Sequence, residues 1–329
     1  MAGKDFRVLV TEPIPEHVIS YLKEHAQVDI GNAGEYQKEE NLVADISKYH
    51  ALLCMLSNPV SEKVLQSATN LKIVANFAVG YNNIDVKAAH SLGIKVANTP
   101  DVLTEACGDF AMGLLMAVTR KFNDAEQYLR NGNFTGWEPL GFLGMELRGK
   151  TLGIVGMGRI GQSFAHRASA FGMKIAYHNR NPLPKEIEQK LNAKFIPSLK
   201  QIATESDVLS LNCPLTPDTH HLIDETILDL MPAHSILINI SRGAVVNEAH
   251  LAKALHNKSI SGAGLDVFEH EPSVHPELLS APHCVLLPHI ASATIETRTE
   301  IGMLASKAII SVLNGQPESQ IQNLVKLEN

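Results

Sequence analysis

Short apolar runs alternate with stretches of helical periodicity along most of the chain. The segments FRVLVT (6–11), QVDIG (27–31), ALLCML (51–56), KIVANF (72–77) and KVANT (95–99) are compact β-rich runs separated by helical patterns, which predicts a first series of strands. A second series comprises TLGIV (151–155), KIAYHN (174–179), VLSLNC (208–213), SILINI (235–240), SGAGLDV (261–267) and VLLP (285–288). Strands that alternate with helices in this way imply parallel sheets. The stretch LTEACGDFAMGLLMAVTRKF (103–122) is apolar nearly all round, which predicts a helix buried between two domains. Beyond residue 292 the pattern through Ile301, Leu304, Ala305, Ala308 and Ile309 is helical, with no further strand to follow. It predicts a helix that returns to the first domain. The fold class is therefore α/β, with two Rossmann-like or flavodoxin-like parallel-sheet domains separated by a cleft. One comprises residues 1–103 plus 292–329 and the other residues 104–291.

The turn after the run at 151–155 adds chemistry to this outline. Gly156, Gly158 and Gly161 stand in the spacing G-x-G-x-x-G, between an apolar strand and a helix whose Ile160, Phe164, Ala168 and Phe171 share one face. The first glycine permits a tight turn, the second lets backbone approach a pyrophosphate, and the third lets the helix pack closely on the sheet. The helix start then offers unpaired N–H groups to the anion. Residues 104–291 are thus expected to bind a dinucleotide, with Arg159 and Ile160 inside the turn among the contacts. At the end of the next strand, where an acid would bind a ribose 2′-hydroxyl, stand Asn179 and Arg180, and the first carboxylate after them is Glu186. A guanidinium pairs well with a 2′-phosphate, so NADPH is favoured and NAD remains possible.

Composition narrows the alternatives. The chain has 329 residues, enough for two hydrophobic cores, and a formal charge of −7 with no basic run, which argues against nucleic acid as a partner. Cys54, Cys107, Cys213 and Cys284 lie far apart in apolar surroundings, so they read as core thiols of a reducing compartment, and no metal site is expected. The N-terminal sequence enters a strand directly, and no later run approaches a membrane span. A cytoplasmic protein is expected.

Three charged or titratable residues follow the later strands: Arg242 after SILINI, Glu271 in FEHEP after GLDV, and His289 after VLLP. Ligands of parallel α/β sheets gather beyond the carboxyl ends of the strands, so these side chains are expected to share one cleft with the glycine turn. A cation, an imidazole and a carboxylate suit hydride chemistry on a 2-oxo acid. That reaction needs positive charge at the carboxylate and carbonyl oxygen, and a proton donor beside that oxygen.

The motifs NFAVGYNNIDV (76–86), GKTLGIVGMGRIGQ (149–162), LNCPLTPDTHHLI (211–223), INISRGAVVNE (238–248), GAGLDVFEHEP (262–272) and LPHIASAT (287–294) together closely resemble the D-2-hydroxyacid dehydrogenase family, particularly its glyoxylate/hydroxypyruvate and 2-ketogluconate reductase branch. The resemblance implies an NADPH-preferring reductase of small 2-oxo acids. Arg242 would hold the substrate carboxylate and polarise the carbonyl, His289 would give up the proton, and Glu271 would hold the imidazole in its protonated form. The backbone N–H groups of Val79 and Gly80 would bind the carboxylate from the other domain. Asp266 would meet the nicotinamide amide, and Cys213, Pro214, Thr219 and Ile240 would complete the cofactor contacts. The apolar stretch 122–149, with Phe134, Trp137, Leu140, Phe142 and Leu143, would cover a second copy in a homodimer. Two alternatives stand beside this reading: a short-form phosphoglycerate or other D-2-hydroxyacid dehydrogenase, and a non-catalytic protein that senses NAD(P).

Overall fold

The computed structural model describes residues 5–327; the parts of the domain assignment that cover residues 1–4 and 328–329 lie outside them. The chain falls into two compact units, one drawn from the residues up to Leu103 together with those from Ala293 onward, the other spanning Thr104–Ser292.

The first unit is built on five parallel strands, β1 (Arg7–Val10), β2 (Gln27–Ile30), β3 (Ala51–Cys54), β4 (Ile73–Asn76) and β5 (Lys95–Ala97), in the order β2-β1-β3-β4-β5. The central strands β3 and β4 are buried along their whole length, which is why they read as apolar runs, β4 ending on the buried Asn76. Edge strand β2 is half exposed. The helix Ile295–Leu313 packs on β4 and on the helix Glu16–His25, burying Ile301, Gly302, Ala305, Ala308 and Ile309. Its start is fixed by Thr294, whose hydroxyl accepts the Thr297 N–H at 3.1 Å.

The second unit carries seven strands: β6 (Thr151–Val155), β7 (Lys174–His178), β8 (Ala193–Phe195), β9 (Val208–Leu211), β10 (Ile236–Asn239), β11 (Gly262–Leu265) and β12 (Cys284–Leu286). All pairs are parallel, in the order β12-β11-β10-β9-β6-β7-β8. Strand order reverses between β6 and β9, the switch point at which such sheets bind dinucleotides. The helix Thr104–Thr119 packs within this unit, against the helix Arg159–Ala170 and strands β10, β11 and β12. Arg167 bonds Asp109 at 2.6 Å and Glu105 at 2.9 Å across that helix pair.

Two elements differ from the sequence expectation. Strand β8 is absent from it, because its three residues Ala-Lys-Phe form a half-exposed edge with no β-branched side chain. The segment 122–149 opens with a helix, Phe122–Arg130, none of whose residues is buried, so its polar face masks the periodicity.

Candidate active site

At the switch point, Gly156 adopts φ +95°, a left-handed conformation that β6 needs in order to turn into the following helix. A Cβ there would stand 2.5 Å from the Cys213 nitrogen, so the turns after β6 and β9 touch backbone to backbone. At Gly161 a Cβ would lie 2.6 Å from the Gly156 oxygen, whereas at Gly158 it would meet nothing within 4 Å. Gly158 therefore leaves open space at the mouth of the turn. No side chain caps the helix Arg159–Ala170 that starts there, and its first-turn N–H groups can face an anion. Open space at the switch point, a positive helix end and a backbone free of side chains fit a dinucleotide pyrophosphate.

Asn179 follows β7, and its Oδ1 accepts the Met157 N–H at 2.7 Å. It thereby latches the end of β7 to the glycine turn. Arg180 beside it is exposed, as is Arg159, and Ile160 is half-buried. Beyond β9, Cys213 is buried, which pushes its thiol up to about 11 and keeps it unreactive. The loop after it is tied to itself, since the Thr219 hydroxyl donates to the Pro214 carbonyl at 2.7 Å and accepts the Thr216 N–H at 2.8 Å. Ile240 is half-buried at the end of β10.

The next three strand ends carry the charged groups. Asn239, buried at the end of β10, folds the turn back on itself: its Oδ1 accepts the Ser241 N–H and hydroxyl at 3.0 and 2.9 Å, and its Nδ2 donates to the Arg242 carbonyl at 2.9 Å. Arg242 leaves this turn with Nη1 on the Ser241 carbonyl at 2.7 Å. Burial lowers the guanidinium pKa from its usual value, and the charge of Glu271 pulls the other way. Arg242 and Glu271 thus feel one another in a partly desolvated space.

His289, in the loop after β12, is in the left-handed region at φ +54°. Its Nδ1 lies 2.9 Å from Glu271 Oε2. With Nδ1 committed to the carboxylate, Nε2 is the ring nitrogen left for proton exchange. Burial would push the Glu271 carboxyl up, but His289, the Phe268 N–H and Arg242 outweigh it and hold Glu271 below the usual carboxylate range. Its other oxygen accepts the Phe268 N–H at 3.1 Å.

Asp266 follows β11 with no exposed surface, and its two oxygens accept the Ile290 and Ala291 N–H groups, each at 2.8 Å. Burial raises its pKa against the pull of those two bonds. Asp266 thereby fixes the loop next to His289, a role that the sequence does not announce.

In the first unit, the Val79 carbonyl accepts Asn98 Nδ2 at 2.7 Å and the Gly80 carbonyl accepts Asn76 Nδ2 at 2.6 Å. Two side-chain amides from the strand ends thus fix this turn. The sequence reading missed Asn239, Asn76 and Asn98; its available signal was an asparagine at or just past a strand end, a residue suited to bonding nearby backbone.

Residues 112–291 match the family model described as D-isomer specific 2-hydroxyacid dehydrogenase, NAD binding domain. A glyoxylate reductase of Thermococcus onnurineus is 44% identical over 321 residues, covering 96% of both chains. Among solved structures, a protein from Thermus thermophilus superimposes with a TM-score of 0.90 at 38% identity, over 97% of this chain and 100% of that one. The NADPH-dependent glyoxylate/hydroxypyruvate reductase of Sinorhizobium meliloti, in complex with NADP and malonate, gives a TM-score of 0.84 at 36% identity, over 98% and 99% of the two chains. The chain belongs to the D-isomer-specific 2-hydroxyacid dehydrogenase family.

Proposed function

We propose that the protein is an NADPH-preferring reductase of small 2-oxo acids, with glyoxylate and hydroxypyruvate as its first substrates and 2-ketogluconate as a further one. The observation that carries this reading is the His289–Glu271 pair at 2.9 Å, beside a partly desolvated Arg242. A nicotinamide cofactor, held with its pyrophosphate at the Gly156–Gly161 turn, would supply the hydride. Arg242 binds the substrate carboxylate and draws charge onto the carbonyl oxygen. His289 Nε2 donates a proton to that oxygen as the C–H bond forms, and the ring then takes a proton back from solvent. Glu271 stabilises the imidazolium and fixes its orientation through Nδ1. The Val79–Gly80 turn is assigned to the substrate carboxylate through its N–H groups. Asp266, read from the sequence as a partner of the nicotinamide amide, has no exposed surface here, so we assign it to hold the Ile290–Ala291 loop beside the nicotinamide rather than to reach the amide itself.

Support for NADPH comes from the end of β7. No carboxylate stands there to repel a 2′-phosphate, the Asn179 amide is latched to Met157, and Arg180 is exposed beside it. Oxidation of NADPH and NADH with a panel of 2-oxo acids tests the reading. Turnover of glyoxylate with a higher kcat/KM for NADPH is expected; tight cofactor binding with no turnover of any small 2-oxo acid would refute it in favour of a sensor. The proposal includes a homodimer, supported by the exposure of Trp137 at 84% and Leu140 at 79%, with Phe134 and Leu143 also exposed. A monomeric mass in light scattering contradicts that part.

A further inference from the structure

Two carboxylates outside the chemistry above tie the segment carrying Arg242 to the loop carrying Glu271. Glu248 opens the helix Glu248–His256, downstream of Arg242, and is only 5% exposed. Glu269 precedes Glu271 in the same loop, with its side chain 15% exposed. Each carboxylate accepts the backbone N–H of the other: the Glu248 N–H donates to Glu269 Oε1 at 2.7 Å, and the Glu269 N–H donates to Glu248 Oε1 at 2.8 Å. The remaining oxygens are also engaged. Glu269 Oε2 lies 3.0 Å from His221 Nε2, and Glu248 Oε2 accepts the His275 N–H at 3.3 Å. Asn247 Nδ2 stands 3.4 Å from the other nitrogen of His221.

Holding two like charges this close and this deep is costly. That cost falls on Glu248, whose carboxyl is pushed up by burial with the Glu269 charge adding to it, whereas burial at Glu269 is outweighed by the Glu248 N–H and His221, which hold its carboxyl below the usual range. Well-packed apolar residues of similar size often stabilise as well as a buried polar cluster, so what such a cluster adds is a fixed register. Register matters at this place. A Cβ on Gly243 would stand 1.8 Å from the Phe268 carbonyl carbon, so the Arg242 turn and the Phe268–Glu271 loop pass each other backbone on backbone. The Phe268 N–H also holds Glu271. A shift of Glu269 would therefore pass directly to the carboxylate that grips His289.

We propose that Glu248 and Glu269, with His221, are positioning residues, and that their reciprocal clasp sets Glu271 on His289 and both against Arg242. The inference rests on the reductase reading for its kinetic readout but not for its geometric one. These side chains line a cavity of about 360 Å³, so truncating one enlarges an existing space and does not hollow the core.

Glu269→Ala and Glu269→Gln are compared with the wild-type chain. The alanine variant is expected to lose roughly tenfold or more in kcat for glyoxylate, with NADPH affinity within about twofold, since a misplaced group costs rate before it costs binding. Its acid limb of kcat/KM moves to higher pH, because a loosened Glu271 loses the partners that hold its carboxyl down. The glutamine variant keeps an acceptor for the Glu248 N–H but loses the acceptor for His221 Nε2, whose other nitrogen faces Asn247 Nδ2, and so recovers part of the rate. A folded alanine variant with wild-type kcat and pH profile overturns the proposal, as does equal loss of rate and cofactor affinity in both variants. If Glu269→Ala does not fold, Glu248→Gln carries the same readouts. If the wild-type chain reduces no 2-oxo acid, the reaction is refuted and the clasp is judged by crystal structures of the variants: Glu271 displaced from His289 supports it, and an unmoved pair overturns it.

Discussion

Alanine at position 243 would place a Cβ 1.8 Å from the Phe268 carbonyl carbon, 2.1 Å from its oxygen and 2.3 Å from the Glu269 nitrogen. None of these atoms belongs to a flexible side chain, so backbone must move. Reaching ordinary contact near 3.4 Å requires a retreat of about 1.6 Å, shared between the Arg242 turn and the Phe268–Glu271 loop. Overpacking of this kind costs about 1–3 kcal/mol. For a unit of this size that corresponds to roughly 2–4 °C of Tm per kcal/mol. The effect on rate is of similar size in free energy but easier to read, since a displacement of about 1 Å between catalytic groups costs on the order of 10²-fold. Glyoxylate reduction by Gly243→Ala should therefore fall by about two orders of magnitude in kcat/KM. Cofactor affinity should stay near that of the wild type, because the glycine turn after β6 is untouched. Steady-state kinetics, isothermal titration with NADPH and a melting curve separate the three effects. Wild-type kcat/KM and Tm in the alanine variant would refute the claim that close backbone approach fixes Arg242.

Three further outcomes follow from the assigned roles. His289→Ala should lower kcat by about 10²-fold or more while leaving the NADPH dissociation constant within about twofold; parallel loss of both would contradict a proton-transfer role. Arg180→Ala should weaken NADPH and spare NADH, lowering the ratio of their kcat/KM values by roughly tenfold, and an unchanged ratio would remove the 2′-phosphate argument. Glu271 is ionised above its pKa, which lies below the ordinary glutamate value of about 4.3 because His289, the Phe268 N–H and Arg242 outweigh burial. The pairing is therefore complete above that ordinary value and is lost only as pH falls through the depressed one. An acid limb of kcat/KM attributable to Glu271 at or above about pH 4.3 contradicts this.

Much of the architecture is legible in the sequence because parallel strands buried on both faces leave mostly apolar runs, unbroken in β3 and interrupted only by Asn76 in β4 and Ser210 in β9. Strand β8 leaves no such trace, since an edge of three half-exposed residues needs little apolar character. The glycine turn is legible for a physical reason too: only glycine tolerates φ +95° at Gly156 with the Cys213 nitrogen so near. Arg242, Glu271 and His289 could be named from their positions just past strand ends. What could not be read is how they are held. Asn239, Glu248 and Glu269 work through backbone N–H and C=O groups, and a bond to backbone leaves no pattern of partner residues in the sequence. Asp266 shows the same limit, since its engagement with Ile290 and Ala291 depends on a loop path that periodicity does not encode.

The site's supports share one device, which explains why so many polar residues are buried behind it. A loop beyond a strand end has no ladder to fix it, yet a catalytic group must hold its place to a fraction of an ångström. After β10 the buried amide of Asn239 closes the turn that presents Arg242, and after β11 the buried carboxylate of Asp266 grips the loop next to His289. Glu271 lies farther along the chain from its strand than Asp266 does, so its loop draws on an anchor from elsewhere. The clasp from Glu248 supplies that anchor across the Gly243 contact. Burying a carboxylate costs several kcal/mol unless its oxygens find donors, and both oxygens of Asp266, Glu248 and Glu269 are met by backbone or imidazole. The stability given up to bury these charges goes into fixing the positions of Arg242, Glu271 and His289.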